Sequence, residues 1–307
     1  MKFILFCDSL KRTEGKSGIP YIGRIRNKVA WFLENCYIRG AKIPDEPLNN
    51  KARENKIIVS ITSFPKRINI VSYSIKSLML QTLKPDQIIL WLAKEQFPNW
   101  EIPERLRLLQ ERGLEIRFCE DLKSYKKFYY AMKEQEDNIL ITYDDDLIYP
   151  PNSIEKLMEG HRKYPSCIIC NRAQLFPLEE NGAISSCIHW KVYSSLGVET
   201  PTHMIMASTG AGCLYPPHIF GDMVFDLDLI HKDAPTADDI WMKVMALFYD
   251  VKIVKTTKEQ KPFSVIFHSQ EQSLTKINDI EKKNDDIANK LQAVFSEAFL
   301  KLRKTDE

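Results

Sequence analysis

The stretch NILITYDDDLIYPP, Asn138 to Pro151, decides how the rest of the chain is interpreted. Its first half, Ile139 to Tyr143, is an apolar run with the length and composition of a buried β-strand. Three aspartates, Asp144, Asp145 and Asp146, follow at once. Neighbouring carboxylates repel one another, so the run is stable only if it is solvated or balanced by a cation. The stretch therefore predicts a buried strand that ends in an acidic cluster.

Strand-like runs alternate with longer helix-like segments from Lys56 to Tyr164. The predicted strands are 57–61, 88–92, 114–118 and 139–143, and the predicted helices are 70–81, 101–112, 124–136 and 152–164. Such alternation is typical of a parallel sheet covered on both faces. Ligands of these sheets bind outside the carboxyl ends of the strands, which is where the acid run falls. We predict an α/β fold with a mostly parallel, Rossmann-like sheet flanked by helices.

Composition sets limits on partners and compartment. The chain has 307 residues, 44% of them hydrophobic, with 43 basic and 41 acidic residues and a net charge of +2. This balance provides no global field for nucleic acid, so no nucleic-acid partner is expected. The one C-x-x-C pair, Cys167 and Cys170, encloses two isoleucines and has no second pair, so it predicts a buried strand with free thiols rather than a zinc site.

The chain divides into three predicted parts: an N-terminal segment with a connector (1–55), a main domain (56–270) and a C-terminal helix (271–307). Residues 19–40 predict a basic amphipathic helix, either packed on the main domain or in peripheral contact with an anionic membrane. No apolar run reaches the roughly 18 residues of a membrane span, and Phe3 to Cys7 is too short for a signal peptide. A cytoplasmic location is expected.

Glycine-rich phosphate-binding motifs are missing from the sequence. The first strand-to-helix turn, SITSFPKRI from Ser60 to Ile68, contains no glycine, and EGKSG from Glu14 to Gly18 lacks the earlier glycine of a P-loop. The acid run offers another way to bind phosphate. Carboxylates one residue apart can hold Mg²⁺ or Mn²⁺ and leave positions open for phosphate oxygens, and such a metal stabilises a departing diphosphate. A solvated turn is the alternative interpretation.

A second group of residues lies in STGAGCLYPPHIF (208–220) and DAPTADDIWMKVMALF (233–248). Gly210 and Gly212 permit close approach of the backbone to a ligand. The second segment predicts a helix with an acidic first turn. Thr236 and Asp239 match a capping box, which alone would explain the aspartate. Asp239 at a helix N-terminus also suits a general base toward a sugar hydroxyl.

Four blocks in this order, IIVSITSFPKRI, SYKKFYYAMKEQEDNILITYDDDLIYPPNSIEKLM, TGAGCLYPP and ADDIWM, resemble bacterial glycosyltransferases of the GT-A fold. The related enzymes include the inverting capsule and lipopolysaccharide group, and the resemblance spans Lys56 to Phe267. It implies metal-dependent transfer of a sugar, with Mn²⁺ or Mg²⁺, from a nucleotide-diphosphate sugar, a UDP-sugar being favoured. The acceptor would be the hydroxyl of a glycan, lipid-linked or protein substrate. A nucleotidyltransferase acting on sugar phosphates and a non-catalytic carbohydrate-binding protein are the alternatives.

The resemblance also implies roles for individual residues. The catalytic base would be Asp239, with Asp238 as the other candidate. The nucleotide-sugar would be bound by Ser60, Thr62, Ser63, Arg67, Lys126, Lys127, Asp144 and Asp145. The wall between donor and acceptor would be formed by Gly210, Ala211, Gly212 and Trp241. The metal ligands would be Asp144, Asp146 and His268. Each lysine could instead lie on a solvated helix face, and His268 could be an ordinary strand-end residue.

Overall fold

A computed structural model describes residues 2–11, 21–99, 101–190, 195–257, 261–269 and 283–303. The strands are β1 (Ile57–Thr62), β2 (Gln87–Ala93), β3 (Leu114–Cys119), β4 (Ile139–Tyr143), β5 (Leu147–Ile148), β6 (Ile168–Cys170), β7 (Ala173–Leu175), β8 (Ile205–Ala207), β9 (Ala211–Tyr215), β10 (Ile253–Lys255) and β11 (Ser264–Val265). The helices are α1 (Lys2–Leu10), α2 (Tyr21–Gly40), α3 (Val71–Met79), α4 (Glu104–Gln110), α5 (Lys126–Glu134), α6 (Ser153–Lys163), α7 (Leu227–Asp233), α8 (Asp238–Phe248), α9 (Lys283–Val294) and α10 (Ser296–Phe299).

Seven of these strands form the central sheet, in the order β10, β6, β9, β4, β1, β2, β3. Six run in one direction, and β9 runs antiparallel to both of its neighbours, β4 and β6. The structure therefore confirms the predicted α/β class, with the mostly parallel, helix-flanked sheet that a GT-A fold requires. Two further pairs, β5 with β11 and β7 with β8, lie outside the central sheet.

The central strands are buried on both faces, which explains why their sequences read as continuous apolar runs. Because side chains alternate along a strand, Ile57, Val59 and Ile61 of β1 point into one apolar cluster and Ile58 into another. The first cluster also contains buried residues of α3, α4 and α6, and the second contains those of α5 and α8. Among the seven cysteines, all of which are free, Cys170 is buried in β6.

The N-terminal helix α2 packs beside the two-stranded sheet of β5 and β11. Trp31 and Asn35 of α2 donate side-chain hydrogen bonds of 2.7 and 3.0 Å to the carbonyl oxygen of Val265 in β11. Ile19 and Pro20, the first residues of the predicted basic helix, lie outside the described part. No described helix combines the length and the apolar character needed to cross a bilayer.

The C-terminal helices pack against α8. The Phe295 ring lies 5.5 Å from that of Phe248 and 6.3 Å from that of Trp241, between ring centroids. Leu291 and Phe299 are buried in the same apolar cluster. The described part of the tail therefore packs on the core through its apolar side chains. Residues 270–282 and 304–307 of the predicted C-terminal segment lie outside the described part.

Candidate active site

The acid run and the loop after β1 meet at the carboxyl edge of the sheet because β1 and β4 are parallel neighbours. Arg67 lies between two aspartates, with Nη1 at 2.8 Å from Asp145 Oδ1 and 3.1 Å from Asp146 Oδ2. The Ser63 hydroxyl donates to Asp145 Oδ2 at 2.6 Å. Burial raises the pKa of Asp145, and the Arg67 charge offsets part of that rise. Asp145 thus anchors the run to the β1 loop.

Asp144 is the most exposed carboxylate of the run, at 44%. Its amide nitrogen donates to the Tyr149 hydroxyl at 2.9 Å, and that hydroxyl donates to the carbonyl oxygen of Gly210 at 2.6 Å. A Cβ atom at Gly210 would lie only 1.7 Å from Asp144 Oδ2. The close approach predicted for this glycine therefore exists, but its partner is the acid run itself.

Lys127 connects the acid run to the N-terminus of α8. Its Nζ lies 2.8 Å from Asp144 Oδ1 and 3.0 Å from Asp238 Oδ2, and its side chain is almost fully buried. Burial opposes the charge of this lysine, but the carboxylates of Asp144, Asp238 and Asp239 hold its pKa above the ordinary value. The cation that balances the acidic cluster on this side therefore belongs to the protein.

The two aspartates of α8 differ in environment. Thr209 donates to Asp239 Oδ1 from its amide nitrogen at 2.9 Å, and its hydroxyl lies 2.5 Å from the same oxygen and 2.8 Å from Asp238 Oδ2. Burial opposes ionisation of Asp238, yet Lys127 and the hydrogen bonds hold its pKa below the ordinary value. Burial, and then the charge of Asp238, raise the pKa of Asp239 to about 6. Of the pair, only Asp239 has a pKa raised toward neutral pH.

The capping box is not formed. Helix α8 begins at Asp238 with Ala237 at the N-cap position, so Thr236 lies one residue outside it. The Asp239 carboxylate is hydrogen-bonded to Thr209 of the strand side instead. Capping therefore does not explain this aspartate.

The acid run provides only part of the ligand set that binds Mn²⁺ or Mg²⁺ in proteins. Among the described residues no three His, Cys, Asp or Glu side chains converge as a metal cage. Asp144 and Asp146 each have one oxygen facing a protein cation. Mg²⁺ is commonly held by one or two carboxylates together with waters and substrate phosphates. The residues thus fit a cation that arrives with a nucleotide, and do not fit one held by the protein alone.

His268 lies beside the acid run by strand register. β11 pairs antiparallel with β5, and the amide of Ile266 donates to the carbonyl oxygen of Asp146 at 2.8 Å. His268 follows two residues later, is exposed, and has a φ of 69° in the left-handed region. The strand register thus places the backbone that leads to His268 next to the acid run.

Several predicted site residues have other roles. Ser60 is fully buried and accepts a 3.0 Å hydrogen bond from Trp91 Nε1, and Lys126 is paired with Asp121 at 2.5 Å, away from the acid run. Ala211, Gly212 and Trp241 are buried. Trp241 donates to the carbonyl oxygen of Val224 at 3.1 Å and belongs to the core. Thr62, whose hydroxyl donates to the carbonyl oxygen of Trp91 at 3.0 Å, remains partly exposed at the end of β1.

Two residues were missed by sequence reasoning. Thr209 orients Asp239, and the Tyr149 hydroxyl fixes the backbone of the acid run by accepting a hydrogen bond from the Asp144 amide. Both roles depend on contacts between distant parts of the chain. The only local signal is that Thr209 directly precedes Gly210 in a stretch already singled out.

Comparison with known proteins finds distant similarity to solved structures alone. No family model matches the chain, and no curated protein matches it in sequence. A mannosyltransferase from Pyrobaculum calidifontis, in complex with GDP-Man and Mn²⁺, is 9% identical with a TM-score of 0.45, over 98% of this chain and 85% of that one. The CMP:2-keto-3-deoxy-manno-octonic acid synthetase complexed with CTP is 10% identical with a TM-score of 0.42, over 75% and 100%. TarS from S. aureus is 10% identical with a TM-score of 0.40, over 68% and 59%. At these identities neither a substrate nor an activity carries over to this chain.

Proposed function

We propose that this protein is a glycosyltransferase that moves a sugar from a nucleotide-diphosphate sugar, a UDP-sugar being favoured, to a hydroxyl acceptor with inversion. One observation carries the proposal. Lys127 joins an acid run at the carboxyl edge of the sheet to a pair of aspartates in which Asp239 has a pKa of about 6. The arrangement provides a donor side and a proton acceptor in one continuous cluster.

Asp239 is the proposed base. Thr209 fixes its Oδ1 with two donors, and no described residue donates to Oδ2, which is therefore available to an acceptor hydroxyl. As that hydroxyl oxygen bonds to the anomeric carbon, its proton passes to Asp239 and the bond from the anomeric carbon to the diphosphate breaks. A single displacement from the face opposite the diphosphate inverts the configuration of the sugar.

The donor side is formed by Asp144 and Asp146 with His268 near them. These residues would hold a divalent cation that enters with the nucleotide, and the cation would neutralise charge on the leaving diphosphate. Arg67 orients Asp145 and Asp146, and Lys127 orients Asp144. The protein thus fixes the positions of the carboxylates before the donor binds.

Two substitutions test the two halves of the site separately. Asp239→Asn should abolish transfer while nucleotide affinity changes less than twofold, because the amide cannot accept the proton. Asp146→Ala should weaken cation-dependent nucleotide binding at least tenfold. Asp228→Asn, at an exposed aspartate of α7, is the matched control. Undiminished transfer by Asp239→Asn would refute the base.

A nucleotidyltransferase would produce a different product from different substrates. Incubation with a sugar 1-phosphate and a nucleoside triphosphate should release no pyrophosphate if the proposal is right. Incubation with the nucleotide-sugar and the cation should slowly release the nucleoside diphosphate by transfer to water. The opposite result would assign the site to nucleotidyl transfer, and no turnover in either assay would point to a binding protein.

A further inference from the structure

Helix α2 has an exposed apolar face opposite its buried face. Its inward face buries Ala30, Asn35 and Ile38 against the rest of the protein. Ile22, Ile25, Val29 and Phe32, which we call the outer stripe, are spaced by three and four residues and share the opposite side. All four are exposed, Ile22 at 72% and Phe32 at 54%. The water-facing side of a helix normally carries polar residues.

The charges around the outer stripe have one sign. Arg24, Arg26 and Lys28 stand between the stripe residues in the sequence, and a helical arrangement places them along its two flanks. The only acidic residue of α2 is Glu34, which is buried on the inward side and paired with Lys11 at 2.8 Å. An apolar stripe with basic flanks and no exposed acid is the pattern of a helix that lies in the surface of an anionic bilayer.

Helix α1 adds apolar surface next to α2. Phe3 and Phe6 are 39% and 56% exposed, and the Phe3 ring stacks on that of Tyr37 in α2 with centroids 5.2 Å apart. Apolar residues scattered singly over a surface need no explanation, but aromatic and aliphatic residues concentrated on two contacting helices do.

A short series of contacts connects the outer stripe to the candidate active site. Trp31 and Asn35 hold the carbonyl of Val265, and the next residue, Ile266, donates to the carbonyl oxygen of Asp146. The Phe32 ring of the stripe itself lies 6.0 Å from that of Phe267, one residue before His268. A surface bound by α2 would therefore be separated from the acid run by the two-stranded sheet of β5 and β11.

We infer that the outer stripe of α2 docks the protein on an anionic bilayer and that the acceptor is an amphiphile carried on that bilayer. The statement about the acceptor rests on the proposed function, whereas the docking does not. A second copy of the chain is a poorer occupant. In a two-fold symmetric dimer through this face, the basic flanks of one helix would oppose those of the other.

Vesicle co-sedimentation of the full chain tests the docking without any nucleotide-sugar. Vesicles of phosphatidylcholine alone are compared with vesicles that contain one quarter phosphatidylglycerol, at low and high salt. We expect binding to the anionic vesicles that falls at least tenfold at high salt and at least tenfold in the triple variant Ile22→Ser, Ile25→Ser, Val29→Ser. The double variant Arg26→Gln, Lys28→Gln should lose the preference for anionic lipid.

Matched controls separate the stripe from general effects of exposed residues. Leu108→Ser with Leu300→Ser removes exposed apolar side chains elsewhere, and Arg107→Gln with Lys232→Gln removes exposed cations elsewhere. These controls should bind vesicles as the parent protein does. Because the replaced stripe side chains face outward, the triple variant should unfold at the parent temperature.

The outcomes distinguish the docking from the proposed function. Slow release of nucleoside diphosphate into water should be equal in the parent and the triple variant, since it needs no bilayer. Equal vesicle binding by both proteins would overturn the docking even if turnover is found. Absence of vesicle binding, with a parent dimer that the triple variant abolishes, would overturn it in favour of a second copy. Transfer to a water-soluble acceptor that vesicles fail to accelerate would overturn the inferred acceptor class alone.

Discussion

Thr209 donates to Oδ1 of Asp239, and no described residue donates to Oδ2, so Thr209 orients the proposed base and moderates its pKa. Burial raises the Asp239 pKa to about 6, and the Thr209 hydrogen bonds act to lower it. The base must be ionised to accept a proton. Transfer should therefore be half-maximal near pH 6, nearly full about one pH unit above it, and fall about tenfold per pH unit well below it. A pH profile of kcat/KM measures this directly.

Substitution of Thr209 tests the origin of that profile. Thr209→Val keeps the amide donor but removes the hydroxyl, so the Asp239 pKa should rise and the acidic limb should move to higher pH. Thr209→Ser retains the hydroxyl and should restore the parent profile. If the valine variant has the parent limb with a lower plateau, Thr209 acts only through packing and the assignment of the limb to Asp239 is wrong.

Gly210 is required by the Asp144 carboxylate and not by its own backbone angles. An added Cβ would lie 1.7 Å from Asp144 Oδ2 and would force that side chain off the site. Gly210→Ala should therefore raise the Kd for the nucleotide with Mn²⁺ at least tenfold, measured by calorimetry. Gly40→Ala is the control, because a Cβ there meets nothing within 4 Å. Equal affinity in both variants would mean that Asp144 does not contact the donor.

The elements themselves follow closely from sequence because each central strand is buried on both faces. The predicted strand 139–143 matches β4, and 57–61 falls one residue short of β1. Helix ends were predicted less well. The helix predicted over 101–112 is α4, Glu104–Gln110, because the extended backbone of Pro103 sets its start.

The contacts within the site could not be predicted in the same way. Periodicity and length identify α5 and α8 as helices, but the placement of Lys127 between Asp144 and Asp238 depends on how both pack on the sheet. The same limit applies to Ser60 and Trp241. Both have polar groups of a type that binds ligands, and the sequence did not show that these groups hydrogen-bond to Trp91 and Val224. Residue type and spacing were enough to predict which edge of the sheet carries the acidic residues, but not their contacts.

Lys127 forms ion pairs that link α5 to the acid run and to α8. Stability measurements can isolate the contribution of these ion pairs. Lys127→Met would leave Asp238 without its buried cation and Asp144 with solvent alone, so the free energy of unfolding should fall by about 3 kcal/mol. Urea denaturation of this variant is compared with Lys126→Met, whose partner Asp121 is more exposed than Asp238. The double variant Lys127→Met, Asp238→Asn should recover part of the loss. A loss no larger than that of Lys126→Met would show that the bridge contributes little.

The overall charge of the molecule conceals a strongly uneven distribution. The chain carries a net charge of +2. At the sheet edge, however, the aspartates of the acid run and of α8 outnumber the cations Arg67 and Lys127 that pair with them. A nucleotide diphosphate is itself negative, so this cluster alone repels it. The outer stripe of α2, by contrast, has cations on its flanks. The molecule thus separates an acidic cluster at the sheet edge from an exposed helix face with basic flanks.

This charge distribution predicts cooperative binding of cation and nucleotide. UDP alone should be repelled, and Mn²⁺ alone meets too few convergent ligands among the described residues. Together they should bind, because the cation bridges carboxylate and phosphate oxygens. A pair present at 100 times its Kd stabilises the folded state by about 2.7 kcal/mol, which corresponds to a rise in Tm of about 4 °C for a chain of this length. Thermal unfolding with each component and with both measures this, and Asp146→Asn should lose the joint shift while Asp228→Asn keeps it. If UDP shifts Tm equally with and without Mn²⁺, the carboxylates do not hold a cation, and Arg67 and Lys127 must contact the diphosphate themselves.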